Sequence, residues 1–333
     1  MDATLIDIND VSVRVYREGQ IIHQSAGVAH MHDKQVLFGD AALAKARLQP
    51  RGFFDRYWSQ PDSVPLAQTK RSVRHQADLI YHQLKDIIGS AGPFSEVAVI
   101  IPSAYSQQQL SLLLGVMHSL ELTVSTFVDS AVANVAALKN LDKATQFIDL
   151  SRHRACITQL HTHEQITFSE SQTIGRAGKN NLSHLIMNWI ADNFLDQARF
   201  DPLAQASSEQ LIFGQLDAWL RKFNNVPHLN INLEHQGRHH EVTLMKTGLI
   251  EALRPAIESL FTAARSNAQV ILSHHFALLP HELLASMNPT VADESAAFRA
   301  LSANLATLKL GQQETTLIRS LPASKLSDLA AAH

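Results

Sequence analysis

Two short acid-bearing turns hold most of the chemistry this chain could perform. Asp7-Ile8-Asn9-Asp10 follows an apolar stretch, and Asp149-Leu150-Ser151-Arg152-His153-Arg154 sets an acid ahead of two arginines. Asparagine at the third position tolerates the left-handed backbone that a tight turn can require. Asp7 also has a plain reading, as the end of a strand beside a turn. Arg152 and Arg154 can draw phosphate through charge and forked donors, or form no more than a solvated basic turn. Gly175-Arg176-Ala177-Gly178 is a third turn, with a glycine pair, and Asp129-Ser130 is a helix-start signal in which Asp129 serves as N-cap.

Other reactive residue types lack the company that would activate them. His161-Thr162-His163 puts two imidazoles on one strand face, and the chain has 18 histidines, yet no Cys/His spacing of a zinc site accompanies them. Ser103, Ser106 and Ser130 sit near turns without a Gly-x-Ser-x-Gly setting, so no hydrolase is indicated. Phe53, Phe54, Tyr57 and Trp58 form a cluster that reads as a core staple under a long loop or as a partner surface.

The elements that must position these turns follow from hydrophobic pattern. Thr4 to Ile8, Val11 to Tyr16 and Gln20 to Ala26 read as strands, with Glu18-Gly19 as a turn. A polar helix is expected over Ala41 to Leu48 and a longer one over Val73 to Ile88. Val97 to Ile101 is a continuous apolar run stopped by Pro102, hence a buried strand. Leu110, Leu113, Leu114, Met117 and Leu120 recur at helical spacing, Leu122 to Val128 is extended, and Ala131 to Leu138 is a small-residue helix. A second cycle of the same kind begins near Ala144. It has strands at Phe147 to Leu150, Ala155 to Leu160 and Gln165 to Ser171, then helices over Asn181 to Asp196 and Ser208 to Phe223. Strands at Leu229 to Leu233 and Glu241 to Leu244 follow, then a helix capped by Thr247 running to Phe261. Val270 to Leu272 is the last expected strand, and the polar stretch from Gly311 reads as a loose tail with one short helix.

Composition narrows the class. With 333 residues and 45% hydrophobic content the chain can bury the cores of two lobes, and a formal net charge of -3 with no basic stripe argues against nucleic acid. No run of about eighteen apolar residues is present, so no membrane span is expected. A lone Cys156 excludes an internal disulfide framework; a soluble, cytoplasmic protein is expected.

Ile101-Pro102 with Ala104-Tyr105, the Asp129-Ser130-Ala131 helix start, Phe38-Gly39-Asp40-Ala41-Ala42 and Asp293-Glu294-Ser295-Ala296-Ala297 together resemble the nucleotide-binding domain of the seventy-kilodalton heat-shock chaperones. These belong to the actin and sugar-kinase superfamily, and the resemblance spans residues 3–308. It implies an α/β, duplicated actin-like (ribonuclease H-like) fold, two lobes around a central cleft. Lobe I is 1–143, lobe II is 144–308 with a closing helix at 293–308 returning to lobe I, and 309–333 is a tail. In that family two Asp-x-Gly turns hold the nucleotide phosphates, so the resemblance assigns Asp7 and Asp149 to the metal and its waters, with Asp129 as a third acid. It sets Asn9, Ser151, Arg152, Gly175 and Gly178 beside the phosphates, and Asp217, Arg221, Asn224, His274 and His275 beside the nucleoside.

This chain departs from the pattern where bare main chain is needed. Asn9 replaces a glycine, Ser151-Arg152-His153 replace a glycine run, and His274-His275 replace paired glycines. Cys156 stands where a further catalytic Asp is expected, and Leu220 where a lysine is. Leu138 and Arg299 replace the glycines at the crossing of the two connecting helices, which should wedge or lock that crossing. The expectation is a non-catalytic scaffold or adaptor that binds a protein partner and needs no cofactor. The alternative is a slow ATP hydrolase using ATP with magnesium at Asp7, Asp129 and Asp149; oligomeric state stays open.

Overall fold

A run such as Val97-Ala98-Val99-Ile100-Ile101 has no polar face and must be covered on both sides. In the computed structural model, which describes residues 4–32, 35–70, 72–264, 267–308 and 315–323, it lies inside a six-stranded sheet. The first half begins with β1 (Thr4–Asp7), β2 (Val13–Arg17) and β3 (Gln20–Ser25). A small sheet of β4 (Ala29–His32), β5 (Gln35–Phe38) and β6 (Phe53–Phe54) follows, with α1 (Gly39–Leu43) before β6. Then come β7 (Pro65–Lys70), β8 (Val73–His75), α2 (Gln76–Ala91), β9 (Glu96–Ile101), α3 (Gln107–His118), β10 (Thr123–Asp129) and α4 (Ser130–Ala136).

The second half begins with β11 (Ala144–Leu150), β12 (Arg154–Thr162) and β13 (Gln165–Gly175). It continues through α5 (Lys179–Ala198), α6 (Ala206–Phe223), the hairpin β14 (His228–His235) and β15 (Arg238–Met245), and α7 (Lys246–Thr262). β16 (Gln269–Leu272), α8 (His281–Leu284), β17 (Thr290–Val291) and α9 (Ala296–Ala303) complete it, and β18 (Thr316–Ile318) and β19 (Ser320–Pro322) come last.

The two large sheets have the orders β18-β10-β9-β1-β2-β3 and β17-β16-β11-β12-β13-β19. In each, three antiparallel strands lead to a first strand whose other neighbour is parallel and arrives after helical crossovers. The chain is thus a mixed α/β protein in which five strands of each sheet follow one order, with β18 and β19 added at opposite edges. Between the sheets, α4 and α9 pack their alanines with Ala98, Ile100 and Val128 of one sheet and Phe147 and Ile271 of the other. Both sheets therefore share a core, and the turns after β1 and β11 come face to face.

Capping explains several boundaries. Ser106 and Gln109 form a reciprocal capping box at the start of α3, and Asp129 Oδ1 accepts from the Ala131 and Val132 main chain at the start of α4. His75 and Asp78 do the same for α2, so the expected helix over Val73 to Ile88 starts only at Gln76, and Val73 to His75 is extended against β7. The helix expected over Ala41 to Leu48 is also shorter. Lys45 and Ala46 bond to carbonyls three residues back, tightening the chain into a turn before Pro50. Thr247 is not a cap, since α7 begins behind Met245 with no side-chain bond.

The tail departs furthest from expectation. Residues 315–323 are extended, with β18 parallel to β10 on one sheet and β19 antiparallel to β13 on the other, so one short segment spans both halves. Leu321 is fully buried in the shared core. The rest of 309–333 lies outside the described residues. Leu138 and Arg299 do not wedge the helix crossing either. Leu138 lies beyond the end of α4, and Arg299 points outward to Asp293 at 2.6 Å, leaving alanines at the contact. Among the described residues no helix is long and apolar enough to cross a membrane.

Candidate functional site

β2 is buried on both faces, so a charged residue in it needs a partner. Register supplies one. Asp7 lies directly opposite Arg14 in the antiparallel ladder, which puts both side chains on the same face. Arg14 Nη2 donates to Asp7 Oδ2 at 2.5 Å, with side-chain exposures of 2% and 8%. The other terminal nitrogen donates to the Glu294 carbonyl ahead of α9, and the guanidinium lies 5.0 Å from the Phe298 ring centre. The acid assigned to a metal is therefore neutralised by a fixed cation from its own sheet.

The remaining turn residues bind one another across the halves. Asn9 Nδ2 donates to Asp149 Oδ2 at 3.0 Å and to the Leu150 carbonyl at 3.3 Å, while its Oδ1 accepts from the Val11 main chain at 2.8 Å. Asn9 does not use the left-handed backbone that asparagine tolerates; its amide acts as a bridge. Asp10 Oδ1 accepts from the Arg152 main chain and Asp10 O from Arg152 Nε, both at 2.8 Å. Arg152 is buried, not a solvated turn residue. Gly27 makes room for this turn, since a Cβ there would meet the Asp10 main chain at 2.9 Å and Trp58 Cδ1 at 2.6 Å.

Asp149, Asp10 and Asp129 are hard to ionise. Burial, with Asp7 and Asp10 nearby, pushes Asp149 up to about 7 against hydrogen bonds from Ser273 and Asn9. Burial also raises Asp10, whose Oδ2 has no partner among the described residues. Asp129 caps α4 and accepts from Ser103 Oγ at 2.8 Å; burial raises it too, and its Oδ2 is likewise unpaired among the described residues. Cys156, opposite Asp149 in the β11–β12 ladder, is a buried thiol pushed up to about 12 by burial. Asp10, Asp149, Ser103, Ser130 and Cys156 line a recess of about 10 Å³, the size of one water.

Around this base the loop after β11 is held by packing. Lys179 N and Asn180 N donate to Ser151 O and Arg152 O, and a Cβ on Gly178 would fall 2.3 Å from Arg154 N. Gly178 is thus a contact glycine at the head of α5. Gly175 stands in open space at the end of β13, so the two glycines do not act as a pair. His153 meets Asp55 at 3.0 Å, Asn180 Nδ2 donates to the same carboxylate at 2.8 Å, and Arg154 Nη2 donates to Ser59 O at 2.9 Å. Despite burial, the bonds from His153 and Asn180 hold Asp55 below the usual carboxylate value.

The residues expected at the nucleoside end lie on α6 and on the turn after β16, which Asn224 joins through Ala277 O. His274 and His275 form a tight turn after β16, rings 3.9 Å apart. Burial and the nearby Arg14 drive His274 down to about 3, and burial lowers His275 strongly, so both are neutral. Asp217 pairs with Lys179 Nζ at 2.7 Å, Leu220 turns into the core, Arg221 is exposed, and Asn224 Nδ2 donates to Ala277 O at 3.1 Å. Their spacing along α6 keeps the four on one broad face, whose edge at Leu220 is buried while Asp217 and Arg221 look onto α5 and the space before it. Tyr57 and Trp58 prove to be core, each donating to Gln83 Oε1 at 2.6 Å.

Sequence reasoning missed Arg14, Asp10, Asp55 and Lys179. It also missed a latch at the mouth, where the Arg47 main chain donates to Gln210 Oε1 at 2.8 Å and Gln210 Nε2 donates to Leu43 O at 3.0 Å. For Arg14 a signal was present, as a lone charge inside Val13-Arg14-Val15. Among the described residues no group of three or more His, Cys, Asp or Glu is arranged to hold a metal ion. In comparisons with known proteins, no family model matches the chain and no curated protein matches it significantly.

Proposed function

We propose that the protein is a chaperone-like, duplicated actin-like domain with a degenerate nucleotide site, acting as a non-catalytic scaffold or adaptor for a protein partner. The doubled strand order and the pairing of α4 with α9 between the sheets support the fold assignment. The observation that carries the functional reading is the Asp7–Arg14 pair at 2.5 Å. A divalent cation at Asp7 would meet a buried guanidinium, and at Asp149 a carboxyl already bonded to Asn9. As arranged, these residues do not fit magnesium with a triphosphate. In addition, the two turns between which phosphates would lie are bonded directly to each other by Asn9–Asp149 and Asp10–Arg152.

The slow ATP hydrolase is the second reading, favoured only by the gathering of Asp7, Asp10 and Asp149 where the two halves meet. It would need Arg14 to leave Asp7 and the Asn9 and Arg152 bridges to open together. Titrating ATP with magnesium by calorimetry separates the two. The scaffold reading expects neither heat of binding nor a thermal shift. Micromolar binding that Asp149→Ala abolishes would overturn it.

A further inference from the structure

Above the closed base and inside the Arg47–Gln210 latch lies a chamber of about 410 Å³, bounded by α1 on one side and α5 and α6 on the other. Its volume suits a small ligand. Its charge is uneven: Arg152, Lys179 and Arg221 line it, against Asp40 and Asp217. Asp217 is already paired with Lys179.

Arg152 is the decisive residue. Its main chain and Nε are bound to Asp10, but among the described residues its two terminal nitrogens have no hydrogen-bond partner, although the residue is only 4% exposed. These nitrogens are not among the enclosed unpaired polar atoms, so they open on the chamber, where an incoming acceptor can reach them. Lys179 uses one of three ammonium donors on Asp217. The 20-residue α5 points its N-terminus here with no side-chain cap and no acid in its first turn, so its positive end is uncompensated. Its first two N–H groups are taken by Ser151 O and Arg152 O, so the helix adds field and not donors. Leu43 and Leu216 give the chamber an apolar wall.

We propose that this chamber is a metal-independent site for a small phosphate group, free or as a monoester, held by Arg152, Lys179 and Arg221. A tetrahedral dianion offers three oxygens to three cations, whereas a carboxylate offers two. The proposal rests on the reading that the metal site below is closed, and it makes the scaffold one that responds to a small effector.

The test is calorimetric titration of the full chain in EDTA with inorganic phosphate, phenyl phosphate and succinate, and separately with ATP and magnesium. Saturable, EDTA-insensitive binding of a phosphate probe in preference to succinate is expected. Equal affinity for the two phosphates assigns free phosphate, and tighter phenyl phosphate assigns a monoester against the apolar wall. Arg152→Gln should weaken binding at least about tenfold and Arg221→Gln about threefold. Because Arg152 also joins the halves, Arg221→Gln at an exposed position and Lys179→Gln at a part-buried one carry the test should Arg152→Gln not fold. No saturable phosphate binding, succinate bound as tightly, or affinities unchanged in the variants would overturn the proposal and leave the closed metal site standing. Magnesium-dependent ATP binding would instead refute the closed metal site.

Discussion

Replacing Arg14 by methionine removes the cation but leaves Asp7 buried, with 8% of its side chain exposed. Breaking a buried pair from one side costs ~3–5 kcal/mol, far above the ~0–1 kcal/mol of a surface pair. The loss of the bond to Glu294 O and of the Phe298 ring contact adds to this. For a chain of this size the melting temperature should fall by on the order of 10 °C. The double variant Asp7→Asn with Arg14→Met removes both charges, and it should recover most of the loss, because a buried pair replaced by neutral groups costs little net. Urea unfolding followed by tryptophan fluorescence, run as a double-mutant cycle, measures the coupling directly. A loss under about 1 kcal/mol in Arg14→Met, or no recovery in the double variant, would refute the claim that Arg14 neutralises Asp7.

Three further outcomes test other parts of the site. Asp149 is raised by burial from an ordinary 3.8 to about 7, so the folded chain keeps a proton there that the unfolded chain releases. Its contribution is intact below about pH 4 and is lost as pH rises through 7, so Asp149→Asn should be more stable than wild type at pH 8, by on the order of a few kcal/mol, and no more stable at pH 4. Gly178→Ala should destabilise by about 1–3 kcal/mol, since its Cβ would lie 2.3 Å from main chain, whereas Gly175→Ala, with nothing within 4 Å, should be near neutral in the same thermal melts. Leu321→Ala should cost ~2–5 kcal/mol through the cavity it leaves, and Leu317→Ala, 42% exposed, under about 0.5 kcal/mol in urea titrations.

What was legible in the sequence follows from how local each signal is. Val97 to Ile101, the helix after Ser106 and the three strands that open each half carry their own periodicity, and all formed near their expected bounds. β18 and β19 are three residues each and exist because both sheets offer an edge, so nothing within Thr316 to Pro322 announces them. The candidate site divides in the same way. Its acids stood out by type, but the pairing of Asp7 with Arg14 depends on ladder register, and Asn9 with Asp149 on two halves that meet only when folded. Asparagine at position 9 was legible as a residue that tolerates a tight turn, but its use as a side-chain bridge was not.

The most direct measurement is a crystal structure of the protein grown with ATP and magnesium. The account requires Arg14 to stay on Asp7 and Asn9 to stay on Asp149, with no triphosphate between the two turns. A metal ion seated on Asp7 and Asp149, with phosphates against the loops that follow them, would contradict it.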